Sequence, residues 1–139
     1  KGIDLIQLPF NLLDNRFLRS DILKYAKNEG KEVHSRSAFL QGLFFMDRNS
    51  SVKHFNSLKN QIRELDKISE NFNIPIQKLA LAYCINQPEI DKVLIGVDGL
   101  NQLKSNLDLI DYPNLEQAFF EIDKIKVENE NLLNPSKWN

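Results

Sequence analysis

Cysteine occurs once in the 139 residues, at Cys84, and histidine twice, at His34 and His54. A single thiol excludes an intrachain disulfide and a thiolate metal cage. The two histidines stand far apart with no HExxH-type carboxylate spacing, so metal chemistry is not expected. Charge of one sign is missing too: 18 Lys and Arg stand against 19 Asp and Glu, for a formal net charge of -1. That balance argues against a general nucleic-acid surface, which needs a clustered cationic excess. No apolar run approaches the roughly 18 residues of a membrane helix, and no signal peptide heads the chain. Internal repeats and low-complexity linkers are also lacking. The expectation is one cytoplasmic α/β domain over residues 1–139, with 42% hydrophobic and 27% charged residues, long enough to bury a core.

Taken in order, the residues from Ile3 to Pro9 read as a strand, almost continuously apolar except for Gln7. Such a run suits a strand covered on both faces. The polar Gln7 either bonds to a neighbouring strand or serves a site. Asn11 to Arg19 reads as loop or a short turn of helix, with Ser20 as N-cap and Asp21 in the first turn of the next helix. Gly30 stands where a helix terminator belongs. Glu32 to Arg36 is a second strand, and strand–helix–strand makes the two strands parallel neighbours. Ser37 to Gly42 then supplies a hydroxyl, small residues and a glycine just past the strand's C-terminal end. That rim is where parallel α/β sheets bind ligands.

Leu43 to Met46 is too apolar for an exposed loop and is expected to pack over the rim. Ser50 or Ser51 is placed to cap a helix marked by Leu58, Ile62, Leu65, Ile68 and Phe72, with Lys59, Arg63, Glu64 and Lys67 on its solvated face. Pro75 opens another helix, whose dense Leu79, Ala80, Ala82 and Tyr83 should lie against the sheet. Cys84, in the same run, reads as a buried inert thiol. Lys92 to Ile95 is a third strand. Leu100, Leu103, Leu107 and Ile110 mark the following helix, and Phe119, Ile122 and Ile125 the last, from Leu115 to about Lys126. Residues 127–139 form a polar tail.

Four segments in this order, IDLIQLPFN, EVHSRSAFLQGL, KLALAYCINQP and VLIGVDGLNQLKSNL, together resemble the C-terminal half of aldo-keto reductases, over roughly Ile3 to Leu109. The resemblance implies an α/β fold: a partial (β/α)8 barrel, its last three β/α units, with parallel strands and outer helices. It implies an NAD(P)H-dependent oxidoreductase that reduces an aldehyde or ketone, with NADP or NAD as cofactor. Gln7 would reach the nicotinamide carboxamide, which an amide can match as donor and acceptor. Many members read Tyr-Ser-Pro-Leu-x-x-Gly after strand seven, the Tyr stacking on the nicotinamide. Here Arg36 replaces that Tyr, while Ser37 and Gly42 match and would sit by the pyrophosphate. A guanidinium is planar and can stack, but a cation against an oxidised nicotinamide is unfavourable.

After strand eight, NADP-preferring members carry Lys-Ser and then Arg-x-x-Glu-Asn. This chain offers Gly96-Val97, then Gln102 and Asn106, and only the final Asn matches. The cationic grip on a 2′-phosphate is gone, leaving Lys104 as a substitute by another route, and a preference for NADP over NAD has no support. The helix that begins near Gly99 could still offer its N-terminus to a phosphate. The family's catalytic Asp, Tyr, Lys and His come from strands of its N-terminal half, so no catalytic residue is assigned, and His34 reads as a satisfied strand histidine. Three strands cannot close a barrel, so both sheet edges need covering. The expected partners are the missing N-terminal half or a self-associating copy, a homo-oligomer. The competing reading is a non-catalytic half-barrel binding or assembly module; a plain α/β piece that only dimerises is the third.

Overall fold

The computed structural model describes residues 2–108 and 115–138. Three parallel strands, β1 (Leu5–Pro9), β2 (Glu32–Arg36) and β3 (Lys92–Val93), lie in the order β1-β2-β3. Register places Leu5, Gln7 and Pro9 opposite Glu32, His34 and Arg36, and His34 opposite Lys92. The third strand is shorter than the Lys92 to Ile95 expected, although Leu94 N still donates to Ser35 O at 2.8 Å. Alternation gives the sheet two unlike faces. Ile6, Leu8, Val33, Val93 and Ile95 pack on the apolar core beneath the helices. The opposite face carries Leu5, Gln7, Glu32, His34, Arg36 and Lys92, and none of these is buried. Coverage of both faces of the first strand is therefore overturned. The helices of the described residues screen one side only.

Six helices among the described residues complete the fold: α1 (Arg16–Asn28), α2 (Lys53–Ser57), α3 (Lys59–Asn71), α4 (Ile76–Ile85), α5 (Leu100–Asp108) and α6 (Glu116–Asp123). The start of α1 corrects the Ser20 cap. Asn15 is the N-cap, its side-chain oxygen accepting from Phe17 N at 3.1 Å. The same amide is buried and donates to Ile122 O at 2.9 Å and Ile125 O at 3.0 Å, the C-terminal end of α6. One side chain thus starts one helix and ends another, which a local pattern around Ser20 cannot reveal. The other end of α1 follows expectation. Gly30, at φ 67°, lets its own N–H reach Lys27 O while Lys31 N reaches Ala26 O, both at 2.9 Å, a Schellman closure that favours glycine.

The helix expected after Ser50 or Ser51 is two helices with a break at Leu58. Ser50 Oγ only accepts from Val52 N at 3.3 Å, and no described side chain caps α2. The break has a packing reason, since Phe55 and Leu58 are both fully buried. Pro75 precedes α4 as its N-cap, and every residue from Leu79 to Cys84 is buried. Cys84 Sγ lies 3.4 Å from Phe10 O, and burial pushes its thiol above the ordinary range. Tyr83 is the hub of this layer. Its ring stacks on Phe10 (5.3 Å, 8°) and meets Phe119 edge-on (5.5 Å, 72°). Its hydroxyl accepts from Arg16 N at 3.0 Å and donates to Asp123.

The leucines of α5 do not face inward as their spacing suggests. Leu100, Leu103 and Leu107 are exposed, and the buried residue of that helix is Asn106; Ile110 lies outside the described residues. The tail is not merely polar coil. Two short 3-10 turns, Glu130–Leu133 and Pro135–Lys137, lay Trp138 on His54 with ring centroids 4.0 Å apart. No described helix is long and apolar enough to cross a membrane.

Asn15→Ala removes a cap and leaves two carbonyls without their donor. A loss of about 2–4 kcal/mol in urea unfolding is expected, from roughly 1 for a cap and 1–3 for a buried orphan. Asn15→Asp, which keeps the cap acceptor but turns a carboxylate toward those carbonyls, should be no better. A second outcome concerns acid. Arg16 donates to both oxygens of Glu89 (2.7 and 3.1 Å), and that hydrogen-bonded cation holds the carboxyl below its ordinary 4.5. A lowered folded value means that the stabilisation is present above the unfolded value and lost as pH falls through the folded one. Glu89→Gln should therefore flatten the decline of stability below about pH 4.5, measured by urea midpoints across pH.

Candidate functional site

At the C-terminal ends of the strands an open cavity of about 590 Å³ forms. Its floor is the polar sheet face: Gln7 on β1, Arg36 ending β2, and Leu94 just past β3. One wall is the loop after β2, with Ser37, Ala38, Phe39, Gln41, Gly42 and Phe45. The other is Gly96, Asp98 and Gln102, leading into α5. Six of the seven residues expected at a cofactor site, Gln7, Arg36, Ser37, Gly42, Gly96 and Gln102, line this one space. Asn106 does not. It lies farther along α5, beside Leu81, Ile85 and Val93, with its Nδ2 buried and unpaired.

The loop after β2 is held in a conformation that its sequence alone would resist. Ser37, Leu40 and Gln41 have φ of 63°, 44° and 53°, and Gly42 has 78°. Left-handed geometry costs an L-residue roughly 1–2 kcal/mol, so something must over-determine it. Leu40, Leu43 and Phe44 are fully buried and act as anchors. Leu40 N donates to Ser37 O and Gly42 N to Phe39 O, each at 2.9 Å. Asn11, buried, donates to Ser37 O at 3.3 Å while its Oδ1 accepts from Leu13 N and Asp14 N at 2.9 Å. The packing of Leu43 and Phe44 bears out the expectation for that apolar run, whereas Phe45 turns outward toward the cavity and tilts against Phe39 at 5.3 Å. Phe39, Gln41, Phe45 and Asp98 were not singled out in the sequence. Their signal was the unusual turn, whose positive φ values fall on residues that do not advertise them.

Across the cavity, Gln102 Oε1 accepts from Asp98 N at 2.6 Å, which ties the loop after β3 to α5. A Cβ placed on Gly42 or Gly96 would meet no atom within 4 Å, so both backbones face open space that a ligand can approach. Gln7 is exposed and makes no side-chain hydrogen bond among the described residues. Arg36 donates to Ser37 Oγ at 3.2 Å. These are a carboxamide, a hydroxyl, a guanidinium and two bare glycine backbones around an elongated cleft. As a donor set they fit a dinucleotide, with amide partners for a carboxamide and small residues for a pyrophosphate.

The opposite end of the same sheet face is occupied differently. Glu32 accepts from Lys92 Nζ at 2.8 Å and stands 2.8 Å from His34 Nε2. Lys92 and then His34 hold the Glu32 carboxyl below the usual range. His34 is thus a satisfied strand residue, away from the cavity lining. Among the described residues no three His, Cys, Asp or Glu side chains gather as a metal site.

Comparison with known proteins accords with this geometry. The model of the aldo/keto reductase family matches residues 1–127. Among solved structures, the aldo-keto reductase AKR11C1 from Bacillus halodurans superposes in its holo form with a TM-score of 0.70 at 21% identity, over 92% of this chain and 46% of that one. Its apo form gives 0.69 at 20% identity over the same shares. The glycerol dehydrogenase AKR11B4 from Gluconobacter oxydans gives 0.68 at 20% identity, over 86% of this chain and 41% of its own. The present chain spans less than half the length of these proteins. Its three parallel strands and their helices correspond to part of an α/β barrel.

Relief of backbone strain tests the rim. Gln41→Gly should stabilise the chain by up to about 1 kcal/mol, because glycine accepts a φ of 53° without steric cost. Gly42→Val should destabilise by a similar amount or more. Chemical unfolding measures both.

Proposed function

The chain belongs to the aldo/keto reductase family, and from that we propose that it supplies the cofactor side of an NAD(P)H-dependent oxidoreductase acting on an aldehyde or ketone. The observation that carries the reading is the convergence of Gln7, Ser37, Gly42 and Gly96 on one open cavity at the strand ends. Gln7 would pair with the carboxamide of the nicotinamide. Ser37 and the Gly42 backbone would take the pyrophosphate, and the loop from Gly96 to Gln102 the adenosine side. When bound, the cofactor supplies hydride. The residues of this chain orient it: the anchored rim holds Ser37 and Gly42 in place before binding, so less ordering is lost on association. The Asp, Tyr, Lys and His that move the proton in the family would come from the N-terminal strands of the barrel and not from these three.

A second reading, a non-catalytic half-barrel that self-associates, is favoured by one observation. Ile3, Leu5 and Leu94, at the strands' outer edges or on the uncovered face, are exposed. Titration of NADPH and NADH, followed by the change in nicotinamide emission, separates the two. Saturable binding, weakened about tenfold in Gln7→Ala on the worth of one to two lost hydrogen bonds, supports the reductase reading. No binding of either nucleotide, with a stable dimer in light scattering, selects the assembly module.

A further inference from the structure

Arg36 stands at a junction. It lines the main cavity and also a smaller one of about 220 Å³, enclosed by Pro9, Asp14, Arg19 and the tail from Glu130 to Pro135. The charges around this junction are unevenly matched. Asp14 is almost fully buried, and both its oxygens are engaged by the Arg19 guanidinium. Arg19 also reaches Glu130 at 3.5 Å. Burial raises the Asp14 carboxyl, with Arg19 opposing, and Arg36 adds a smaller attraction from farther away. Those two acids therefore already have their cation. Arg36 has no ion-pair partner among the described residues, and its one side-chain hydrogen bond is to the neutral Ser37 hydroxyl. Among the described residues it is the only Lys or Arg lining the main cavity. Asp98, the acid in that lining, belongs to the loop after β3, on the far side of β2 from the smaller cavity.

We propose that Arg36 is a specificity-determining residue: its free guanidinium selects carbonyl substrates that carry a carboxylate or phosphate. The proposal deepens the reductase reading and rests on it for the carbonyl. The anionic group lies on the β1 side of the cavity, at the mouth of the smaller one. A planar guanidinium offers two parallel N–H groups to either oxyanion, a geometry that the phenol ring found at this position in many family members cannot provide. The position is fixed rather than floppy at its base. Arg36 is the last residue of a strand paired on both sides, opposite Pro9, and its carbonyl accepts from Phe10 N at 3.1 Å.

The test uses matched aldehydes as probes: succinic semialdehyde against butyraldehyde, and glyceraldehyde 3-phosphate against glyceraldehyde. Arginine side-chain N–H resonances of the labelled chain report binding, with Arg36 assigned from its loss in Arg36→Gln. The expected result is that the anionic member of each pair binds roughly tenfold or more tightly, the worth of one charged hydrogen bond, and moves the Arg36 resonance. Arg36→Gln should abolish the preference and Arg36→Lys restore part of it. Equal binding of charged and neutral members overturns the proposal, and so does a preference that persists in Arg36→Gln. A variant that loses NADPH affinity while keeping the aldehyde preference also overturns it, since Arg36 would then serve a cofactor phosphate. NADPH binding without aldehyde is measured separately on the unmodified chain. Its absence there counts against the reductase reading and not against the anion preference.

Discussion

The double pairing of β2 is the constraint on which the site depends. A parallel strand bonded on both sides cannot slip by one residue without sending its buried side chains to the other face. Val33 and Ser35 are fully buried on the helix side, so Glu32, His34 and Arg36 must look the other way. Arg36 and Pro9 are thereby fixed opposite each other. Ser37 has to begin its turn at the height where β1 also ends. The rim loop therefore hangs from the most restrained strand of the sheet, and the position of its polar groups follows from packing on the opposite face.

That loop shows how a ligand-facing surface can be both strained and orderly. Its polar or exposed members, Ser37, Gln41 and Phe45, alternate with the buried Leu40, Leu43 and Phe44. A simple strand or helix period would not produce this division. The left-handed residues do, by reversing the chain twice within a few positions. The strain is offset by burial of three large side chains, each worth about 1.5–3 kcal/mol. The turn thus has a reason to persist without a ligand in place.

Local signals carried much of this into the sequence, and they failed where the decisive partner was distant. The three strands, the Gly30 terminator and the buried run of α4 were legible because each depends on its own residues. The start of α1 was not, because Asn15 owes its role to carbonyls of α6 more than one hundred residues away. The break at Leu58 was hidden by a helical pattern that continues across it. The leucine stripe of α5 was legible as a pattern but not as a buried one, since periodicity records which residues share a face and not what that face meets. Six of the seven site residues were legible through resemblance. Asn106 matched as a letter and yet lies away from the cavity they share.

The two ends of the uncovered sheet face are chemically opposite, and this bears on what that face can do. At the lower end Glu32 is compensated by Lys92 and hydrogen bonded to His34. Such a self-satisfied cluster can be covered by another layer without burying a lone charge, which is the costly event in closing a polar interface. At the upper end Arg36 has no counter-ion among the described residues, and Gln7 no side-chain partner. Covering them with protein alone would strand a cation and an amide, each at a cost of about a kcal/mol or more. The lower half of the face is thus suited to closure and the upper half to a ligand. On this argument a second layer of strands over the sheet would shut the bottom and leave the cavity open at the top.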